Sequence, residues 1–385
     1  MISKKQHWIF YFIAITIVAT IAIQFYWNFK NYEETSILLS PQINCFLGNN
    51  GQGKTNLLDA IYYLSFSKSF FNPIDSQLIR DDEAFMSLTG EFNREAEKEK
   101  IHIGLKKGQK KQVKRNKKLY DRIADHIGLI PLVMISPSDS LLIIEGSEIR
   151  RKFLDLIISQ FDRRYLDDLI QYNKALSQRN RLLKKFMEIR RFDEESLVIW
   201  DEQLMKYGTP IYTARKKFIE EFLPLFQKHY EFISGNKEVV SLKYSSQLNE
   251  YSLADNLLIS REKDRRLTYT STGVHKDDLG FHLGDKPLKK FGSQGQQKTF
   301  LLSLKLAQAE FLKDHKKNAP ILLLDDIYDK LDEERVAKLM EVVQKDWFGQ
   351  VFISDTHLDR LPNLFKELNV EFKAFAIEKG EVRNV

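Results

Sequence analysis

Residues 48–55 read Gly-Asn-Asn-Gly-Gln-Gly-Lys-Thr, a G-x-x-x-x-G-K-[ST] loop. No other stretch constrains the chain as much. The apolar run 43–47 before it reads as a buried strand, and 56–64 after it reads as a helix. Strand, loop and helix in that order are the context the motif requires. Glycines there let successive backbone N–H groups close around phosphate oxygens, and the helix start adds the positive end of its dipole. Gly48, Asn49, Asn50, Gly51, Gln52 and Gly53 form the cradle. Lys54 is placed to reach the β and γ phosphates, and the Thr55 hydroxyl to bind Mg²⁺. An α/β fold with ATP and Mg²⁺ as cofactors is therefore expected.

Far downstream, four apolar residues at 321–324 end in Asp325 and Asp326. This reads as a buried parallel strand whose C-terminal end meets the nucleotide. Asp325 is the candidate partner of Thr55 in holding Mg²⁺, and Asp326 the candidate general base for the attacking water. Between the two motifs, Gly292-Ser293-Gln294-Gly295-Gln296-Gln297-Lys298 opens an amphipathic helix expected over 299–312. A serine and glycines at a helix start make a second anion site.

Composition adds limits. The chain has 385 residues and is 43% hydrophobic, which supplies a sizeable core. Lys and Arg number 59 against 53 Asp and Glu, a net charge of +6. The single cysteine, Cys45, excludes a disulfide framework and any cysteine-based zinc site. Eight cations cluster at Lys106, Lys107, Lys110, Lys111, Lys114, Arg115, Lys117 and Lys118. They fit either DNA phosphate contacts or a solvated hairpin whose lysines block edge pairing. Arg179, Arg181, Lys184, Lys185, Arg190 and Arg191 read as a solvated charged face. His275, Asp277 and Asp278 read as structural rather than as metal ligands.

The N-terminus conflicts with this soluble average. Residues 6–29 contain no Asp, Glu, Lys or Arg, and the apolar run 8–23, continued by Gln24, Phe25, Tyr26 and Trp27, is long enough for a spanning helix. Aromatics flank the run, and Lys4 and Lys5 would keep the N-terminus inside. Yet Ile21, Ile23, Phe25, Trp27 and Phe29 are apolar at every second position, which is strand spacing. A leader helix over 1–20 followed by a strand is expected. That anchor would place an ATPase outside the cell, away from ATP and the chromosome. A chimaeric or mis-started reading frame resolves the conflict best; reverse orientation and a leader that never inserts are the other resolutions.

The Ser293-x-Gly295-Gln296 pattern resembles the signature of ABC-type ATPases. In that superfamily the signature binds the γ-phosphate of ATP held by the other subunit. Asp332 resembles the D-loop residue, and His357, after the strand 351–353, the switch histidine. The stretches NFKNYEE (28–34), NCFLGNNGQGKTNLLDAIYYLSFSKSF (44–70), RRKFLD (150–155), YNKALSQRN (172–180), STGVHKDDL (271–279), GSQGQQKTFLLSLKLAQ (292–308) and ILLLDD (321–326) are similar to the RecF family. The likeness runs from about residue 28 to the C-terminus. Ser138 stands where that family often has an acidic residue after the proline, so the Q-loop equivalent is not assigned.

The resemblance implies an ABC-type ATPase head, split in sequence by an inserted helical lobe. The lobe I pieces are 21–148 and 261–385, and the helical lobe is 149–260. It implies a cytoplasmic, nucleoid-associated DNA replication and repair protein that binds duplex next to single-stranded gaps. ATP would join two heads, with Lys54, Asp326 and His357 catalytic, and slow hydrolysis would release them. RecO and RecR are the implied partners in loading recombinase. Two other readings compete. A transporter ATPase subunit requires a short gap between loop and signature, and this gap is long. A membrane-tethered interaction protein rests on the leader alone.

Overall fold

The computed structural model describes residues 20–94, 97–235, 238–316, 318–328, 332–343 and 348–385. The leader expected to be helical lies outside these residues except for Thr20, which already opens a strand. Among the described residues no helix is long and apolar enough to cross a membrane.

Strands β1 (Thr20–Phe29) and β2 (Tyr32–Leu38) form an antiparallel hairpin, in register from Ile23 opposite Leu38. The alternation read from Ile21 to Phe29 thus becomes a sheet strand. Next come β3 (Ile43–Leu47), the phosphate loop and α1 (Lys54–Phe66). A long hairpin follows, β4 (Phe85–Arg94) with β5 (Glu97–Lys106), then β6 (Gln112–Arg115), β7 (Lys118–Leu119) and β8 (Leu132–Ile135). The chain then turns mainly helical: α2 (Leu141–Ile144), α3 (Ser147–Phe161), α4 (Arg163–Ile189), α5 (Glu194–Ser234), the strand β9 (Val240–Ser245) and α6 (Leu253–Leu267). The last part holds β10 (Asp278–Leu283), β11 (Lys286–Pro287), α7 (Leu288–Phe291), α8 (Gln294–His315), β12 (Ile321–Leu324), α9 (Glu333–Val343), β13 (Val351–Asp355), α10 (Arg360–Glu367), β14 (Phe372–Glu378) and β15 (Glu381–Asn384).

Two six-stranded sheets organise the ATPase part. One is ordered β15-β14-β3-β13-β12-β8, parallel except for β15. The other is antiparallel, ordered β2-β1-β4-β5-β6-β7. Strands β3, β8, β12 and β13 are buried at every position, as expected of a parallel sheet covered on both faces. Period-two geometry splits each strand between two cores. Ile321 and Leu323 pack with α1 and the antiparallel sheet, whereas Leu322 and Leu324 pack with α3, α5 and α8. Helix α1 is therefore a sandwiched element, buried at 11 of its 13 positions, and this clamps the phosphate loop at its N-terminus.

Two expectations are corrected. Helix α8 begins at Gln294, not at residue 299. Ser293 Oγ accepts from the Gln296 backbone N–H at 3.2 Å and Gln296 Oε1 accepts from the Ser293 N–H at 2.6 Å, a capping box that starts the helix earlier. Arg179 is not part of a solvated face; it is fully buried, while Arg181, Lys184, Lys185, Arg190 and Arg191 are exposed. It shares a helical stripe with buried Tyr172, Ala175, Leu183 and Phe186. Asp201, Asp264 and Thr270 accept its hydrogen bonds at 2.6, 2.6 and 2.9 Å.

A candidate nucleotide site at the strand ends

The loop between β3 and α1 has the backbone a phosphate cradle needs. Gly48, Gly51 and Gly53 all have positive φ. At Gly48 (φ 148°) a Cβ would lie 2.4 Å from the Ile377 carbonyl oxygen of β14, so only glycine fits. Tyr32 Oη donates to the Gly53 carbonyl at 3.1 Å, Asn31 Nδ2 to the Gln52 carbonyl at 3.0 Å, and the Gly380 N–H also to Gln52 O at 3.2 Å. The β1–β2 and β14–β15 turns thus brace the loop from outside. The 28–34 stretch carries part of this bracing, although its text does not disclose that role.

Lys54 is buried and donates to the carbonyls of Gly48 at 2.8 Å and Asn49 at 3.1 Å, so its ammonium lies inside the loop. Asn49, Asn50 and Gly51 are exposed. Thr55 Oγ1 donates to Asp325 Oδ1 at 2.9 Å. The loop and the strand-end carboxylate, predicted to act together, are in contact. Burial, with the nearby Asp326 charge, pushes the Asp325 carboxyl up to about 6, while hydroxyls from Ser354 and Thr55 and the Lys54 charge pull it back. Asp326 leaves the strand at φ 44°, in the left-handed region. Ser354, missed by the motif reading, touches both carboxylates: its Oγ lies 2.9 Å from Asp325 Oδ1 and 3.4 Å from Asp326 Oδ1. His357 is exposed beyond the end of β13, and its backbone N–H donates to Asp355 Oδ1 at 3.3 Å.

The signature residues form a second cluster. Ser293 is exposed at the start of α8, and Gln296 Nε2 donates to Glu238 Oε1. Asp332 accepts from the Arg335 N–H at 3.0 Å and pairs with its guanidinium, while Arg335 Nε reaches Thr299 Oγ1 at 2.7 Å. Asp332 and the signature helix are thus tied together. Among the described residues, no hydrogen bond or ion pair joins Ser293, Gly295, Gln296 or Asp332 to the phosphate loop of the same chain. A cavity of ≈ 250 Å³ beside Asp325 runs between the 136–140 turn and α8, with Pro137, Asp139, Lys298 and Leu302 in its walls. Asp139 also forms a buried ion pair with Lys305 at 2.7 Å.

The donor set fits a nucleotide with a hard cation. Thr55 and Asp325 place two oxygens side by side, the ligand type Mg²⁺ takes when phosphates supply the rest. Among the described residues no group of three or more His, Cys, Asp or Glu could hold a metal unaided. His275, Asp277 and Asp278 are occupied otherwise: His275 Nδ1 faces Tyr172 Oη at 2.8 Å, Arg215 meets Asp277 at 3.0 Å, and Arg150 meets Asp278 at 2.8 Å.

The RecF/RecN/SMC N-terminal domain family model matches residues 18–375. The DNA replication and repair protein RecF of Phocaeicola vulgatus is 52% identical over 357 residues, covering 92% of this chain and 95% of that protein. The chain belongs to the RecF family. Its Flavobacterium johnsoniae relative, RecF, is 53% identical over 348 residues, 90% of this chain and 97% of that one. A solved structure of the recombination mediator protein RecF with ATP, in the RecFOR pathway, superposes with TM-score 0.88 at 31% identity, covering 97% and 99% of the two chains. The Smc head domain of Pyrococcus furiosus shares the fold at TM-score 0.56 and 16% identity, over 96% of each chain. The architecture is that of an SMC/RecF-type ATPase head, and the protein is a RecF-type DNA replication and repair protein.

Proposed function

We propose that this RecF-family chain is an ATP-operated switch that closes on DNA as a homodimer. The Thr55–Asp325 contact carries the reading, because it brings the phosphate loop and the strand-end carboxylate into one Mg²⁺-binding pair. Lys54 neutralises the β and γ phosphates and the loop N–H groups hold them; Thr55 and Asp325 would hold Mg²⁺, which would supply charge to offset that on the transferring phosphoryl group. Asp326 orients the attacking water, and His357 contacts the γ-phosphate side. Ser293, Gly295, Gln296 and Asp332 bind the nucleotide of a second copy. Their separation from the chain's own loop supports this: an exposed helix start suits an anionic ligand brought by another molecule.

ATP then acts as a bridge whose γ-phosphate contacts exist only in the dimer, and hydrolysis removes them. A slow, DNA-dependent turnover suits a switch. The site of action is gapped duplex in the cytoplasm, at the nucleoid, with RecO and RecR as partners in loading recombinase. The place of the ATP-bound RecF relative in the RecFOR pathway supports those partners.

The test is dimerisation and DNA retention of the full chain, by light scattering and filter binding, with ATP and Mg²⁺. Both should appear with nucleotide and vanish in Lys54→Ala. Retention of gapped DNA by Lys54→Ala at the wild-type level would reject the phosphate-loop assignment.

A further inference from the structure

Strand β13 runs parallel to β12, with Ile353 paired to Leu324. The next residue on β13, Ser354, therefore stands where the two carboxylates leave the sheet. It is completely buried. Its Oγ accepts the Asp326 backbone N–H at 2.9 Å. A hydroxyl has one proton to give, and Asp325 Oδ1 at 2.9 Å is closer than Asp326 Oδ1 at 3.4 Å. Ser354 thus links the backbone of one aspartate to the side chain of the other.

Both bonds restrain something costly. Asp326 has φ 44°, an uncommon conformation for a residue with a Cβ, and it persists only where the surroundings hold it. Asp325 is almost wholly buried, and Oδ1 of its carboxylate takes hydroxyl donors from only Thr55 and Ser354 among the described residues. A cation on Thr55 Oγ1 would use that hydroxyl's lone pairs and leave its proton on Asp325 Oδ1. Thr55 is then tied to the cation, and Ser354 is the donor from the protein side that keeps the carboxylate aimed.

We infer that Ser354 is a positioning residue that sets the orientation of Asp325 toward the cation and the backbone turn that presents Asp326. This rests on the proposed reading of Thr55 and Asp325 as the Mg²⁺ pair. Completely buried behind the two aspartates, Ser354 acts through them, as supporting hydrogen bonds do around many metal ligands.

Binding of a fluorescent methylanthraniloyl-ATP to the full chain, titrated with Mg²⁺ and repeated in EDTA, tests it. In Ser354→Ala the Mg²⁺ midpoint should rise about 10-fold or more. Affinity in EDTA should stay at the wild-type value, because the phosphate loop is untouched. Ser303→Ala is the matched control: Ser303 is equally buried, and its hydroxyl has no hydrogen-bond partner among the described residues. Its midpoint should not move. Should Ser354→Ala fail to fold by circular dichroism, Ser354→Cys keeps the shape, weakens both hydrogen bonds and carries the same expectation. A wild-type Mg²⁺ midpoint in the folded Ser354 variant overturns the inference, as does an equal shift in EDTA affinity. Absence of any Mg²⁺ effect in the wild type overturns the Mg²⁺ reading of Thr55 and Asp325 instead.

Discussion

Thr55 Oγ1 and Asp325 Oδ1 are 2.9 Å apart although 270 positions separate them in the chain. The sheet makes the approach possible. Strand β13 lies between β3 and β12, so the loop after β3 and the carboxylates after β12 emerge on the same edge, with β13 ending between them. All three strands are parallel, so their C-terminal ends coincide. Strands distant in the chain thereby close one sheet at the edge that carries the candidate site.

Replacing Asp326 by Asn removes the proposed base and leaves the φ 44° turn in place. ATP turnover should fall by roughly 10²-fold or more, with ATP binding retained. The ATP-bound dimer should then outlive that of the wild type in a dilution experiment. Faster dissociation than wild type would contradict the assigned role.

Gly48→Ala puts a methyl 2.4 Å from the Ile377 carbonyl at φ 148°, whereas Gly108→Ala meets nothing within 4 Å at φ 74°. The second change costs backbone strain alone, about 1–2 kcal/mol. The first must shift the phosphate loop or β14. ATP affinity by calorimetry should collapse in Gly48→Ala and stay unchanged in Gly108→Ala.

Arg179→Met leaves Asp264 and Asp201 buried without their main cation. Breaking such a network from one side costs about 3–5 kcal/mol, so the urea midpoint should drop sharply. Lys184→Met on the exposed face of the same helix should stay within about 0.5 kcal/mol of wild type. Equal effects of the two would refute the buried network.

Burial holds His275 down to about 4 from an ordinary 6.5, with Lys276 adding to the shift and the bond to the Thr270 carbonyl opposing it. A carbonyl only accepts, so Nε2 carries the proton and Nδ1 accepts from Tyr172. Between pH 6.5 and about 4 the unfolded chain takes up a proton here that the folded chain refuses. The stability this neutral histidine supplies is complete above pH 6.5 and is lost as pH falls through that window, on the order of 3 kcal/mol in all. Urea unfolding at about pH 7.5 and about pH 5 should show a smaller loss in His275→Gln than in the wild type. Equal losses would remove His275 from the acid sensitivity.

The basic hairpin holds both paired and exposed cations, with Lys114 half-buried between them. Lys111 pairs with Asp75 at 2.7 Å and Arg115 pairs with Glu99, whereas Lys106, Lys107, Lys110, Lys117 and Lys118 are exposed. Joint replacement of the five exposed lysines by Gln should weaken DNA binding and flatten its salt dependence. The slope of log K against log salt should lose roughly 0.9 for each duplex phosphate contact removed. An unchanged slope would leave the five as solvated edge lysines. Lys111→Gln should leave the slope alone and lower stability by up to about 1 kcal/mol.

The readable features were those written in consecutive residues. The glycine spacing of 48–55, the apolar run into Asp325 and Asp326, and the strand alternation after Thr20 are local, because each follows from what neighbouring backbone groups require. The capping box of Ser293 and Gln296 was just as local, and it started α8 five residues before the apolar periodicity suggested. Composition could not tell Arg179 from Arg181, nor Lys110 from Lys111, since a charge run names cations without saying which face they take. Nor did any motif mark Ser354, whose role comes from standing one step beyond the Ile353–Leu324 pair. By itself, the sequence determined the glycine loop between β3 and α1, the carboxylate pair and the family. Only the tertiary structure decided which side chains support them, because those hydrogen bonds join strands and helices distant in the chain, and burial makes each unpaired partner costly.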